Sequence, residues 1–267
     1  MIGANPRAET VAVLGLGEAG SLLARDLVRA GATVRGYDPD LHGDLSGIPV
    51  VRSPAEAVTG ADVVLSVNWA SVAVDVARDV LPHLRSGTIF ADCNTAGPAL
   101  KAELASIFAG SQAAFVDVAM MAPVPPLGIR VPMFLAGDGA ERLASILRRF
   151  GTPADVVGPT AGDAAARKLT RSVFFKGMSA AVWEALEAAR AAGVEEWLRA
   201  DVARTFAEAN ADTLDRIIDG TRKHARRRAH EMADAAALLD QLGVPSTIAR
   251  AAATSLERIL AEQGNPV

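Results

Sequence analysis

A chain of 267 residues, 50% hydrophobic and 22% charged, has material for one large domain or two ordinary ones. The longest run free of charge, Leu104 to Val116, is 13 residues, short of the roughly 20 that a membrane-spanning helix needs. A net charge of −4 argues against general affinity for nucleic acid, and a single cysteine, Cys93, excludes an internal disulfide framework and fits a reducing cytoplasm.

No long apolar segment precedes the first strand-like run, so no secretory signal is expected. Strand-like runs fall at residues 11–14, 33–37, 63–67, 88–91, 114–118 and 133–136. Helix-period segments lie between them, at 19–30, 71–84, 98–108 and 140–150. This alternation predicts an α/β fold, a doubly wound and mostly parallel sheet of the Rossmann type. Helix breakers thin out beyond it: 12 of 14 prolines and 17 of 23 glycines precede residue 160. The remainder reads as an all-α domain with helices at about 161–192, 200–218, 222–242 and 246–262, separated by Gly193, Gly220 and Gly243-Val244-Pro245. The expected division is a dinucleotide-binding domain over 1–160 and a helical substrate and dimerisation domain over 161–267.

The first strand runs into Gly15-Leu16-Gly17-Glu18-Ala19-Gly20, and a helix follows. In this setting the first glycine permits a tight turn and the second lets backbone approach a pyrophosphate. The third brings helix and strand close, and the helix N-terminus faces the phosphates. All six residues are candidate cofactor contacts. The next strand ends at Asp38, 18 residues after Gly20, where a carboxylate can accept hydrogen bonds from ribose hydroxyls. Asp38 favours NAD over NADP, since a 2′-phosphate would meet its charge and no arginine follows in 39–47. Arg35 lies inside the strand and Arg52 is distant, so NADP stays open. Asn68, at the end of a later strand, is a further candidate cofactor contact; its neighbour Trp69 suits either packing or a ligand.

Hydride transfer to such a cofactor needs a group to move the proton. The only tyrosine, Tyr37, adjoins Asp38, and Cys93 with His42, His83, His224 and His230 shows no metal-ligand spacing, so no metal is expected. His42 and His83 read as surface residues, Cys93 as a small buried one, and Met120 and Met121 as pocket or core lining. Only four residues are lysines: Lys101, Lys168, Lys176 and Lys223. Lys168 follows the turn Gly158-Pro159-Thr160-Ala161-Gly162-Asp163 and shares a helical face with Arg171 and Ser172. A neighbouring Arg171 would make its ammonium lose a proton more easily, as a general acid/base must. Lys176 is the second choice; Lys101 and Lys223 are expected to be solvated. The run Arg222–Arg228 reads as a solvated face, or as a few residues turned toward an anionic substrate. Apolar positions such as Leu238, Leu239, Leu242, Ile248, Leu256, Ile259 and Leu260 suggest a homodimer through the helical part.

These residues resemble the β-hydroxyacid dehydrogenase superfamily, which contains 3-hydroxyisobutyrate and 6-phosphogluconate dehydrogenases. Gly15–Gly20 is similar to its cofactor signature. Asp92-Cys93-Asn94-Thr95-Ala96-Gly97-Pro98 occupies the place of its Asp-x-Ser-Thr-x-x-Pro segment, and Gly158–Ser172 that of its glycine–lysine signature, with Lys168 at the catalytic lysine. The resemblance implies that Asn94 meets the cofactor, that Thr95, Ala96 and Gly97 meet substrate, and that Lys168 takes the proton of a substrate hydroxyl. Departures are equally plain. Met121 stands where the substrate-loop serine is usual, Arg171 and Ser172 replace paired asparagines, and His230-Glu231-Met232 stands in place of Lys-Asp-Leu. The pattern resembles a less characterised bacterial subfamily, in which Arg171 would replace the serine as an anion clamp. Met121, Arg171, Ser172 and His230 are thus candidate contacts for a small anionic or polar substrate. An imine reductase is the alternative enzyme, although those enzymes usually place another residue at the lysine. A dinucleotide-sensing module without turnover is the non-enzymatic alternative.

Overall fold

The computed structural model describes residues 8–264 apart from 42 and 46, so His42 lies outside the described residues. The first part comprises β1 (Thr10–Leu14), α1 (Glu18–Arg29), β2 (Thr33–Tyr37), β3 (Gly43–Asp44), β4 (Pro49–Val50), α2 (Pro54–Val58), β5 (Val63–Ser66) and α3 (Ala73–Val80). It continues through β6 (Ile89–Asp92), α4 (Pro98–Phe108), β7 (Ala114–Met120), α5 (Val124–Leu127), β8 (Met133–Ala136), α6 (Ala140–Arg149) and β9 (Ala154–Gly158). Four helices follow: α7 (Asp163–Ala191), α8 (Glu195–Glu208), α9 (Ala211–Gln241) and α10 (Thr247–Gly264). The fold is thus a doubly wound sheet followed by helices.

Among the described residues the sheet has nine strands, in the order β3-β4-β2-β1-β5-β6-β7-β8-β9. Strands β4, β2, β1, β5, β6 and β7 run parallel, whereas β8 is antiparallel to β7 and β9 parallel to β8. The order reverses direction between β1 and β5, and the crevice at the carboxyl ends of such strands is where doubly wound sheets hold ligands. The short β3 and β4, and β9, were not anticipated from sequence. Two-residue strands carry no alternation to read, and β9 is defined by its pairing with β8.

Both faces of the sheet are covered, which explains why its strands are continuously apolar. On one face Val11, Val13, Val63, Leu65, Ile89 and Val116 pack with Leu23, Leu27, Leu143 and Leu147 of α1 and α6. On the other, Ala12, Leu14, Val64, Phe90 and Phe115 pack with Ala77, Val80, Leu104 and Phe108 of α3 and α4. Phe90, Phe108 and Phe115 form an aromatic cluster with centroids 4.9 to 6.3 Å apart. It fastens α4 to β6 and β7.

The chain divides into two compact units, Met1–Arg171 and Ser172–Val267, so the opening turns of α7 belong with the sheet. In the second unit the expected break at Gly220 is absent. The chain breaks instead before Asn210, whose side chain accepts from Thr213 N while Asn210 N donates to Thr213 Oγ1, a reciprocal cap that starts α9. Gly220 lies within α9, which kinks at His224. A glycine alone did not stop the helix there. Helices α9 and α10 pack on each other, and the Glu184 carboxylate caps α10 by accepting from Ile248 N and Ala249 N at 2.7 and 2.8 Å. No helix among the described residues is long and apolar enough to cross a membrane.

Replacing Phe108 by Ala empties one corner of the aromatic cluster. It should lower unfolding free energy by about 3–5 kcal/mol in urea titrations, and a loss below about 1 kcal/mol would show that the cluster does not fasten α4.

Candidate active site

The glycine turn has the shape its residues suggested. Gly15 has φ +95°, and a Cβ there would stand 2.3 Å from Val67 O; a Cβ on Gly20 would stand 1.9 Å from Gly15 O. Neither position accepts a side chain. Gly17, by contrast, faces open space and precedes α1, whose first N–H groups receive no side-chain cap. That combination fits a pyrophosphate. Asp38 closes the turn from β2, accepting from Leu16 N at 2.7 Å through one oxygen and from Asp40 N at 3.0 Å through the other. Leu16 is buried, Ala19 half-buried and Glu18 exposed. The Arg35 guanidinium is turned to the carbonyls of Glu56 and Thr59, at the end of α2.

Strand register builds the next layer. Ser66, Asp92 and Asp117 are paired neighbours on β5, β6 and β7, which places all three in one row at the carboxyl edge. Both carboxylates are fully buried. Lys101 answers them, and here the expectation of a solvated lysine is wrong. Its side chain is 1% exposed, with Nζ 2.6 Å from Asp92 Oδ2, 2.8 Å from Asp92 O and 3.2 Å from Asp117 Oδ1. The reason is helical spacing: Lys101 shares its stripe on α4 with buried Leu104 and Phe108. A cation in an apolar stripe, with two aspartates at strand ends, was the overlooked signal.

The remaining oxygens carry the network outward. Asp92 Oδ1 accepts from Asn94 Nδ2 at 2.6 Å, and Asn94 Nδ2 also reaches Asn68 Oδ1 at 2.8 Å. Asn68 in turn donates to Ser66 Oγ at 3.1 Å. In the other direction Asp117 Oδ2 accepts from Gly162 N and Ala165 N, both at 3.0 Å, so the cap of α7 comes from β7. Burial pushes the Asp92 carboxyl above its ordinary range, with Lys101 and Asn94 pulling it partly back.

One and a half turns into α7, Lys168 Nζ donates to Thr95 Oγ1 at 2.9 Å. Two segments singled out separately in the sequence therefore meet. Arg171 Nη1 donates to Met121 O at 2.9 Å, which sets the guanidinium on the loop after β7. That loop is pinned from behind, because Asp26 of α1 accepts from Ile129 N at 3.0 Å. Thr95 and Gly97 are exposed, and Ala96 and Met121 are half-buried. Ser172 opens the second unit; Lys176 on α7 and His230 on α9 are exposed, as are Lys223 and His83. Arg222, Lys223, His224, Arg226 and Arg227 are also exposed, the solvated face that was expected. Trp69 is 80% exposed, so it is not a packing residue of its unit. No group of three or more potential metal ligands occurs among the described residues.

The glycine turn, the Asp38 carboxylate at the end of β2 and an amine at the carboxyl edge suit a fold that binds a nicotinamide dinucleotide. The comparisons agree. The family model for the NAD binding domain of 6-phosphogluconate dehydrogenase matches residues 10–123, and a domain of unknown function (DUF1932) matches residues 189–259. A conserved hypothetical protein from Sinorhizobium meliloti is 32% identical, with a TM-score of 0.62 over 94% of this chain and 88% of that one. A probable 3-hydroxyisobutyrate dehydrogenase of Mycobacterium bovis is 40% identical over 91 residues, 32% of this chain and 31% of that protein. An imine reductase variant from Myxococcus stipitatus in complex with NAD+ shares the fold at a TM-score of 0.79 and 21% identity, over 95% and 94% of the two chains. The chain belongs to the β-hydroxyacid dehydrogenase superfamily.

Burial raises the Cys93 thiol to about 12, and the neighbouring Asp92 charge adds to this. Almost no thiolate is then present at pH 8. Cys93 should resist an aromatic disulfide reagent in the native protein and react at once in urea; prompt native labelling would contradict its burial.

Proposed function

We propose that the chain is an NAD-dependent dehydrogenase of a small hydroxy acid or related polar alcohol, with Lys168 as the proton-transfer group. The reading is carried by the 2.9 Å bond from Lys168 Nζ to Thr95 Oγ1, an amine held at the carboxyl edge of a dinucleotide-binding sheet. Residues 1–160 would bind the dinucleotide, and 161–267 would supply Lys168 and further substrate and subunit contacts. Bound at the glycine turn, NAD supplies the hydride acceptor. Neutral Lys168 takes the hydroxyl proton as the carbon-bound hydrogen leaves as hydride, so the alcohol becomes a carbonyl and the amine an ammonium. Reduction reverses both transfers. Thr95 orients the amine, and Asn68 and Asn94 present amides toward cofactor. Arg171, anchored on Met121 O, pairs with a substrate carboxylate or phosphate, as a guanidinium does bidentately. Asp38 receives the ribose hydroxyls and disfavours a 2′-phosphate, and Arg35 is turned away toward α2.

The test is turnover of a hydroxy acid panel with NAD or NADP, read as absorbance of the reduced cofactor. Oxidation faster with NAD than with NADP is expected. Lys168→Ala should lower kcat by about 10²–10⁴-fold while leaving the Kd for NAD within about threefold, since the lysine lies outside the glycine turn. A near-normal rate in that variant would overturn the mechanism. The fold likeness to imine reductases favours one alternative, and turnover of cyclic imines with no alcohol oxidised would select it.

We also propose that the protein is a homodimer through its helical unit. The apolar positions first expected to pair subunits are partly drawn in between α9 and α10, where Leu239 is buried. Val173, Trp183, Trp197, Phe206, Leu214 and Ile217 are each more than half exposed instead, while what the unit buries is chiefly alanine. A second copy covering that surface supplies the missing core. Light scattering should give twice the 27.7 kDa chain mass, reduced by Trp183→Glu with Trp197→Glu; a wild-type monomer would contradict the proposal.

A further inference from the structure

Among the lysines that the proposed chemistry leaves unused, Lys101 is the buried one. Its ammonium hydrogen-bonds the carbonyl and one carboxylate oxygen of Asp92 and forms an ion pair with Asp117 Oδ1 on the adjacent strand at 3.2 Å. Asp117 is thereby fixed on one oxygen by Lys101 and on the other by the first turn of α7. Gly162, with φ +105°, lies where a Cβ would be 3.2 Å from Pro98 at the start of α4. The helix bearing Lys101 and the helix bearing Lys168 therefore begin against each other. The contacts close into a ring. Asn94 hydrogen-bonds Asp92, Asp92 accepts from Lys101, the Lys101 ammonium pairs ionically with Asp117, and Asp117 caps α7. Lys168 of α7 then returns to Thr95, which is joined by its peptide bond to Asn94.

We infer that Lys101 is a positioning residue of the active site: acting through Asp117, it sets the first turns of α7 so that Lys168 stays on Thr95. This rests on the reading of Lys168 as the proton-transfer group, but its geometry is measurable without turnover. Removing the ammonium leaves two carboxylates facing each other; Asp117 then moves from Asp92 and takes the α7 cap with it.

Competitive labelling tests this, because the chain has only four lysines. Native protein is treated with trace acetic anhydride, and acetylation at each lysine is read by mass spectrometry. Exposed Lys176 and Lys223 serve as internal standards. In the wild type, Lys101 should stay unmodified until the protein is unfolded. In Lys101→Met, Lys168 should be acetylated at least about threefold faster relative to the standards, the factor expected when an ordinary hydrogen bond is lost. Global destabilisation without repositioning would leave that ratio unchanged in folded protein. Asp117→Asn keeps the side-chain volume and weakens the same link. It should move the ratio in the same direction if Lys101→Met does not fold. An unchanged Lys168 ratio in either folded variant overturns the inference. An altered ratio with no turnover on any substrate upholds it and counts instead against the dehydrogenase reading.

Discussion

Asp92 and Asp117 stand side by side on neighbouring parallel strands, about 4.8 Å apart at the backbone, beneath side chains that exclude water. Two unscreened carboxylates at that spacing repel, and the Lys101 ammonium between them resolves the conflict. Such a centre is a poor source of net stability, because desolvation offsets most of the attraction. Removing one member is a different matter and costs about 3–5 kcal/mol, since a buried charge loses its partner. The network is therefore hard to break singly, and that makes it suited to holding parts in register. Its arms reach Asn68 on one side and the first turn of α7 on the other.

The nucleotide end of the site follows from a separate set of constraints. Gly15 and Gly20 are excluded from bearing side chains by backbone oxygens, whereas Gly17 faces open space at the start of α1. Asp38 ties the turn to the end of β2 by accepting from Leu16 N, so the turn and the carboxylate are held in fixed relation. The proposed reacting end lies at the other side of the same edge, where Lys168 Nζ donates to Thr95 Oγ1. Both ends rest on the carboxyl edge of one sheet, whose switch between β1 and β5 opens the crevice.

Much of this was legible in the sequence, for reasons of local physics. Strand–helix alternation is visible as periodicity, and a glycine turn as spacing. Lys168 stood out because few residues capable of its role were present. Three features were not legible in the same way. Lys101 was set aside as a solvated lysine, although its spacing to Leu104 and Phe108 placed it in a buried stripe. Its partners lie 9 and 16 residues away in sequence and meet it only through strand register. The break before α9 was assigned to Gly220, but the reciprocal cap of Asn210 and Thr213 starts that helix earlier and Gly220 lies inside it. Strand β9 follows the Gly151-Thr152-Pro153 turn closely and is defined by its pairing with β8. In each case a tertiary or side-chain partner outweighed local propensity.

The substrate-facing reading joins these parts at one atom, Lys168 Nζ. A crystal structure with NAD and a small hydroxy acid bound would test it most directly. The expected result is the substrate hydroxyl within about 3 Å of Lys168 Nζ, its carbon facing the nicotinamide and its carboxylate on Arg171. A hydroxyl placed on another acid/base group, with Lys168 turned away from it, would contradict the assignment.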